Sequence, residues 1–566
     1  MTHRRRSLAP GLPSRRSAAL THALAAAVTG AAAAPALAAT ALATTTVATD
    51  PAAEATIARG VVFHDVNADG DRDPGEPGVS AVRVSNGVDV VLTDERGRWE
   101  LPVEGDAVIH VVKPAGWQVP LNEHHIPRFS YVHRPVGSPD GLAYPGFEPT
   151  GPLPDSIDFP LRPHEEPDRF DVVVFGDPQP YTMQDVAWFA RDVMAEIAGT
   201  DAAFGVSLGD IVGDDLDLFE PLNQAQAMPG IPWYNVYGNH DMNFLSATDE
   251  HAAETFIRVY GAADYAFQWG RAHFLVLDNV IWKGPRKRDD GSLDIGNYHG
   301  ELGDDQLAFV RSYLATVPPD ELIVVMTHIP LLSTAAQHST ANRRELLEAL
   351  SSHPRTLSLS GHTHTQRKIL FGPEDGYAPG EHLHANLATA SGSWYRGAID
   401  EDGIPETSMR CGAPNGWNVL EVDGADFALR FVPARRPATY QMRIWIDADE
   451  MTTAEAAGRE VAVNVFAGSE RSTVRMRLRP TGGEPTGWMP LRHEVRPDPF
   501  MAARKALEAS DTPPTGRPLP NLADSFHMWF GELPADLAPG HHVIEVETTD
   551  MFGRTHRAMR SLWLRS

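Results

Sequence analysis

Five short polar clusters carry the residue types that could do chemistry. They are Asp177-Pro178-Gln179, Gly209-Asp210 with Asp214 beyond it, Gly238-Asn239-His240-Asp241, Thr327-His328, and Gly361-His362-Thr363-His364. The glycines let the backbone turn sharply and bring side chains together. Any one cluster is weak evidence, because Gly-Asp after an apolar run is often a turn and a lone histidine is usually a satisfied structural residue. Five in order form a donor set of carboxylates, imidazoles and amides suited to divalent metals. The chemistry such a set serves is phosphoryl transfer, where the task is positioning and neutralising spreading negative charge. Two metals about 3.5–4 Å apart do both and lower the pKa of water. His362 and His364 would face opposite sides of a strand; in a loop they reach two different metals.

Each cluster follows an apolar run that reads as a strand: 170–176, 203–208, 232–237, 322–327 and 357–360, with a further strand at 273–278. Ligands are expected at the carboxyl ends of such strands. Helical patterns lie between them, in "MQDVAWFARDVMAEIAG", "DDQLAFVRSYLATV" and "NRRELLEALSSH". This alternation predicts an α/β domain over 169–410. Residues 56–165 read as a small N-terminal β-module of short strands such as "ARGVVFHDV" and "AVIHVVKP". Its Pro- and Gly-rich end, from 115, reads as a long linker with an edge strand. Residues 411–566 are β-rich again, from "WNVLEVDGADFALRFVP" onward, and predict a β-sandwich with one helix at "FMAARKALEASD".

The 566-residue chain has a formal net charge of −27. Such a surface repels phosphate backbones, so no nucleic-acid-binding surface is expected. The single cysteine, Cys411, excludes an intramolecular disulfide and makes a cysteine-based zinc site implausible. The first 39 residues read as an export signal. A basic stretch is followed by an alanine-rich run, and Ala36-Leu37-Ala38 fits a small-x-small cleavage site. Ser14-Arg15-Arg16 gives the signal a twin-arginine character. The expected location is periplasmic, extracellular or at the cell surface. No later apolar run is long enough to form a transmembrane segment.

The order of clusters resembles the calcineurin-like metallophosphoesterases. Their pattern D-x-H, G-D, G-N-H-[DE], H, G-H-x-H is met from residue 177 to 364 with one departure. The flanking β-modules, with "SGSWYRG" and "GAPNGW", resemble the bacterial exported subfamily with N-terminal and C-terminal metallophosphoesterase-associated domains. The resemblance implies a β-sandwich flanked by helices in four layers (α/β/β/α). It implies that Asp177 and His364 bind a first metal, that Asp210 bridges, and that Asn239, His328 and His362 bind a second. His240 would sit over the phosphoryl group, stabilising charge or protonating the leaving oxygen. Asp241 would orient a histidine, with Asp214 a weaker candidate. The pair would be manganese, magnesium, iron or zinc, and a hydroxide bridging it would attack phosphorus. The substrate would be a phosphate mono- or diester, as a small molecule or a headgroup. A hydrolase acting on a polymer or lipid headgroup held by the C-terminal module is a further reading. A different class of function, a cell-surface binding or scaffold protein with a residual metal site, is motivated by the β-modules and the departure.

That departure is Gln179, where the pattern has histidine. A glutamine offers a metal only its neutral carbonyl oxygen, which suits magnesium or manganese better than zinc or iron. It could also act through a water, or only hydrogen-bond the backbone. Outside the clusters, Asp65, Asn67, Asp69 and Glu76 have calcium-loop spacing with Gly70 at the turn. They form a structural calcium site or an Asp/Gly-rich β-turn. The basic loop 283–290 holds a substrate anion or is a solvated loop. Arg396, in "WYRG", is a candidate substrate contact, and His384 a rim residue.

Overall fold

The computed structural model describes residues 56–566. The expected export signal lies outside the described residues. No helix among the described residues is long and apolar enough to cross a membrane.

Two sheets build the region that carries the five clusters. In the first, Trp233–Asn235, Phe204–Ser207 and Arg169–Phe175 run parallel, and the hairpin Gly416–Asp423/Asp426–Pro433 completes it. In the second, Ala272–Val276, Leu322–Met326, Thr356–Ser360 and His382–Asn386 run parallel, with Tyr265–Trp269 and Arg367–Phe371 antiparallel at the edges. These strands read as unbroken apolar runs because both of their faces are covered. Val172 and Val174 share an apolar cluster with Phe274, Val276, Val324 and Leu357 of the second sheet. Val173 and Phe175, pointing the other way, share one with Phe189, Val193 and Leu222 of helical segments. On the second sheet's far side, Leu275, Ile323 and Val325 meet Leu307, Val310, Leu346 and Leu350 from the helices Asp304–Leu314 and Arg343–Leu350.

The domain division expected at 410/411 does not match the sheet. Asn418 pairs with Val174 and Leu420 with Val172, so the hairpin read as the start of the C-terminal domain belongs to the first sheet. Alternating apolar residues suit either sheet, and the sequence carries no mark of the partner strand. The region read as a linker from 115 is also structured. Ser130–His133 pairs with Ala107–Val111, and Phe159–Pro163 runs parallel to Thr56–His64. The N-terminal module is fastened to the region of these two sheets by buried polar contacts: Arg134 pairs with Glu254 at 2.8 Å, and Lys113, paired with Glu166, donates to the Gln268 carbonyl at 2.8 Å.

Beyond residue 440 two further sheets face each other. One contains Met442–Trp445, Glu460–Val465, Ser525–Glu532 and Arg492–Arg496. The other contains Glu450–Thr452, Thr555–Arg565, Gly540–Thr549, Thr473–Pro480 and Met489–Pro490. Ile444, Val463 and Trp529 meet Met476, Ile544 and Leu562 between them. The expected helix is present as Pro499–Ala506, capped by Asp498.

Candidate metal centre

All five clusters sit where strands end. Asp177 follows Arg169–Phe175, Asp210 follows Phe204–Ser207, and Asn239 and His240 follow Trp233–Asn235. His328 follows Leu322–Met326, and His362 and His364 follow Thr356–Ser360. The backbone that presents them is wound tightly. Twelve non-glycine residues among those described have positive φ, and Asp177, Gln179, Asp210, Asp214, His362 and His364 are six of them. Left-handed backbone costs a side-chain-bearing residue on the order of 1 kcal/mol or more. Six such residues at one place need a compensating purpose. The preceding glycines explain how the loops fit together. A Cβ on Gly209, itself at φ +83, would lie 2.4 Å from His328 Nδ1, and one on Gly238 would lie 2.0 Å from the Asp210 amide nitrogen.

Donor atoms converge around Asp210. His328 Nε2 lies 3.2 Å from Asp210 Oδ1, 3.0 Å from Asn239 Oδ1 and 3.2 Å from His362 Nδ1. Beside this group, His364 Nε2 lies 3.7 Å from Asp177 Oδ1, and Gln179 Nε2 lies 3.3 Å from Asp210 Oδ2. Asp177, Asp210, Asn239, His328 and His364 are buried. The opposite ring nitrogens are committed: Nδ1 of His328 donates to the Leu208 carbonyl at 2.8 Å and Nδ1 of His364 to the Gly392 carbonyl at 2.7 Å. A histidine held through one nitrogen by a backbone carbonyl presents the other, unprotonated, to a metal. Asp210, His328 and His362 bring ligand atoms close enough together to hold a metal ion, with Asn239 Oδ1 beside His328.

Gln179 does not merely brace the backbone. Its side chain points at Asp210, and its Oε1 is buried without a hydrogen-bond partner. A half-turn of the amide would put that oxygen beside Asp210 Oδ2, where a shared cation would want it.

The electrostatics follow from burial and crowding. Burial alone would drive His240 and His328 neutral, yet the Asp210 carboxylate outweighs it and holds both up at about 9, with Asp214 assisting at His240; a cation taken up at His328 would displace the Nε2 proton. Burial pushes His364 down to about 4 and His362 well below the usual imidazole range. Asp177, desolvated, rises to about 7.

Two roles differ from the sequence reading. Asp241 does not orient a histidine. Its two carboxylate oxygens accept from the Gly238 amide at 2.9 Å and the Val212 amide at 3.0 Å, so it staples two ligand loops together. The carboxylate on His240 is Asp214, whose Oδ1 lies 2.6 Å from Nδ1. Sequence adjacency pointed to Asp241, but the loop 210–214 folds back to put Asp214 against the ring. His338, which no motif marked, sits 2.8 Å from His362 Nε2 through Nδ1 and so fixes which nitrogen of His362 faces Asp210. Its only sequence signal is a histidine a short way beyond His328.

The remaining candidates lie elsewhere. Arg396 donates to the Pro518 carbonyl at 3.3 Å and does not line the cavity over the centre. Arg286 and Arg288 of the basic loop pair with Asp294. His384 is a core residue, bonded to Ser358 at 2.8 Å and accepting from the Leu331 amide at 3.2 Å. In the 65–76 loop, Asp65 accepts from the amides of Ala68 and Gly70, and Glu76 from those of Val66 and Asp73. The Asn67 amide reaches Asp69 and Asp73.

Three family models match the chain in order. The N terminal of Calcineurin-like phosphoesterase matches residues 66–142, Calcineurin-like phosphoesterase residues 170–366, and the C terminal of Calcineurin-like phosphoesterase residues 381–556. No curated protein matches the sequence. Among solved structures, a purple acid phosphatase from yellow lupin (Lupinus luteus) seeds aligns over 62% of this chain and 67% of its own, at 11% identity and a TM-score of 0.34. A glycosyl hydrolase family 2 member from Bacteroides cellulosilyticus aligns over 85% and 74%, at 7% identity and a TM-score of 0.16. A Parabacteroides merdae β-glucuronidase aligns over 86% and 61%, at 11% and 0.21. All three TM-scores are too low for a shared overall fold to be read from them.

Proposed function

The chain belongs to the calcineurin-like phosphoesterases, metal-dependent phosphoester hydrolases, and from that premise we propose that it is an exported enzyme hydrolysing phosphate mono- or diesters at a two-metal centre. The observation that carries the reading is the grouping of Asp210, His328 and His362, with Asn239 against His328, Gln179 against the second Asp210 oxygen and the Asp177–His364 pair beside them. Divalent cations held there would neutralise phosphoryl charge and make water a nucleophile at neutral pH.

The chain's own side chains supply the rest. His240 lines the cavity, with Nε2 4.0 Å from Asp210 Oδ2 and Nδ1 on Asp214. Asp214 fixes the ring and stabilises its protonated form, so His240 carries the proton that the leaving oxygen takes up. Asp241 acts only by keeping the 210 and 239 loops in register. His338 sets the His362 ring. The scaffold alternative drew its motive from the β-modules and Gln179; the family models match both β-modules as parts of a phosphoesterase, which favours the hydrolase.

Two finer assignments belong to the same proposal. The three apolar clusters support a helix–sheet–sheet–helix layering. The spacing of Asp65, Asn67, Asp69 and Glu76 motivates a structural calcium ion in the N-terminal module, which would have to displace the backbone amides that Asp65 and Glu76 accept.

The test is a panel of aryl phosphate mono- and diesters on one preparation, with bound metals measured and with manganese, magnesium, iron and zinc each added back after chelation. Turnover that chelation abolishes and one or more metals restore is expected. A folded, metal-loaded protein that hydrolyses neither ester class would overturn the proposal.

A further inference from the structure

A cavity of about 500 Å³ opens over the metal centre. That volume is in the range of pockets for whole organic ligands, about 300–1,000 Å³, and a phosphoryl group would fill a small part of it. Besides Gln179, Asp210, Asn239, His240, His362 and His364, it is lined by Arg367, Arg410 and Phe526. Phe526 belongs to the C-terminal strand Ser525–Glu532, so the cavity is shared between the metal loops and the C-terminal sandwich.

The two arginines are unlike most others in this acidic chain. Arg134, Arg435, Arg475 and Arg517, for example, all pair with carboxylates. Among the described residues Arg367 and Arg410 form no ion pair. The Arg367 guanidinium lies over the Phe526 ring, 3.9 Å from its centroid. Stacking uses the face of the group and leaves its in-plane N–H donors free. Arg410 commits only Nε, to the Asn521 carbonyl at 3.1 Å. Its own amide donates to the His364 carbonyl at 2.8 Å, and the Ala523 amide donates to its carbonyl at 3.1 Å. It is therefore pinned between the metal loop and the C-terminal segment. Both residues are partly buried, where an unpaired charge is costly. The other titratable side chains lining the cavity outside the metal cluster are Asp524, which is exposed, His338, which is engaged with His362, and Tyr298.

We propose that Arg367 and Arg410 form a second anion subsite, and that the substrates are phosphate esters whose alcohol part carries a further carboxylate or phosphate. The proposal rests on the hydrolase reading for the scissile group only. The metals and His240 serve that group, and the forked guanidinium donors are matched to a second planar or tetrahedral anion.

The experiment uses the full chain loaded with manganese and two probes, phenyl phosphate and para-carboxyphenyl phosphate. The readout is the ratio of their kcat/KM values, at low and high salt, in the parent protein and in Arg410→Ala, Arg367→Ala and Asp524→Asn. The ratio should fall about ten-fold in each alanine variant, through KM for the carboxylated probe. It should rise in Asp524→Asn, and high salt should compress all of these differences. Equal weakening of both probes, or of neither, overturns the subsite, since equal weakening would place the arginines on the scissile phosphoryl group. Arg410→Gln replaces Arg410→Ala if the latter fails to fold. Calorimetry with the corresponding phenylphosphonates separates the two levels of the argument. Tighter binding of the carboxylated phosphonate, lost in the arginine variants, supports the subsite even if no ester is turned over. Equal binding of both phosphonates by the parent protein overturns it even if hydrolysis is efficient.

Discussion

At the residue scale, His240 and Gln179 are the informative positions. His240→Ala removes the proton donor but no metal ligand. We expect kcat on an aryl phosphate monoester to fall by about 10²-fold or more, with bound metal unchanged. Loss of metal together with activity, or no loss of activity, would contradict the assigned role. Gln179→His swaps an amide for an imidazole beside Asp210 Oδ2. The expected outcome is a shift of metal preference toward zinc or iron, measured by metal content after competitive loading. An unchanged preference would mean that Gln179 does not touch a metal. The candidate ligands were legible as a set in the sequence because each sits in a short motif with a chemical identity of its own. Asp214 stood only as the weaker candidate for orienting a histidine and His338 carried no mark at all, because what places them on His240 and His362 is the path of a loop, and no spacing rule encodes that path. Asp241 misled for the converse reason. It neighbours His240 in the chain, while its carboxylate turns back to the amides of Gly238 and Val212.

At the scale of elements, the strands of the catalytic region and its main helices were readable from apolar runs and helical periodicity. Their partners were not. The hairpin 416–433 looks like the opening of a new domain and is the covering edge of the sheet that carries Asp177 and Asp210. A chain cut after residue 410 would expose the Arg169–Phe175 strand as a bare apolar edge. We expect that truncation to aggregate on expression. A soluble, cooperatively folding 56–410 fragment would show the hairpin to be dispensable. The loop crossings are as demanding as the sheet. Gly209→Ala adds a methyl into the His328 ring at a positive φ, which should cost about 1–3 kcal/mol and most of the metal affinity. Thermal melts with and without metal would read both effects.

At the scale of the whole molecule, buried histidines outside the metal cluster contribute to the acid response. Burial holds His110, His382, His384 and His527 down to about 3. Such a residue stays neutral in the folded chain, while the unfolded chain takes up a proton at about pH 6.5. The unfolded state therefore binds more protons below that pH, and stability is lost as pH falls from about 6.5 toward 3, by about 2 kcal/mol per histidine at pH 5. His110 isolates the effect, because neither ring nitrogen has a partner and the ring packs against Phe129 and Phe309. His110→Phe should leave stability at pH 7.5 equal or higher and flatten the fall in Tm between pH 6.5 and 5. A parallel fall in both proteins would exclude His110 as a contributor.

The pairing of residue 418 with residue 174 also bears on synthesis. The strand that carries Asp177 leaves the ribosome long before the hairpin that covers it, and every other loop of the candidate metal centre emerges in between. The sheet cannot close until the hairpin is made, so the centre assembles late, in a nearly finished chain. During that interval the nascent protein depends on whatever shields its open edge. The ligand loops would then meet metal only in the compartment where the completed chain first folds.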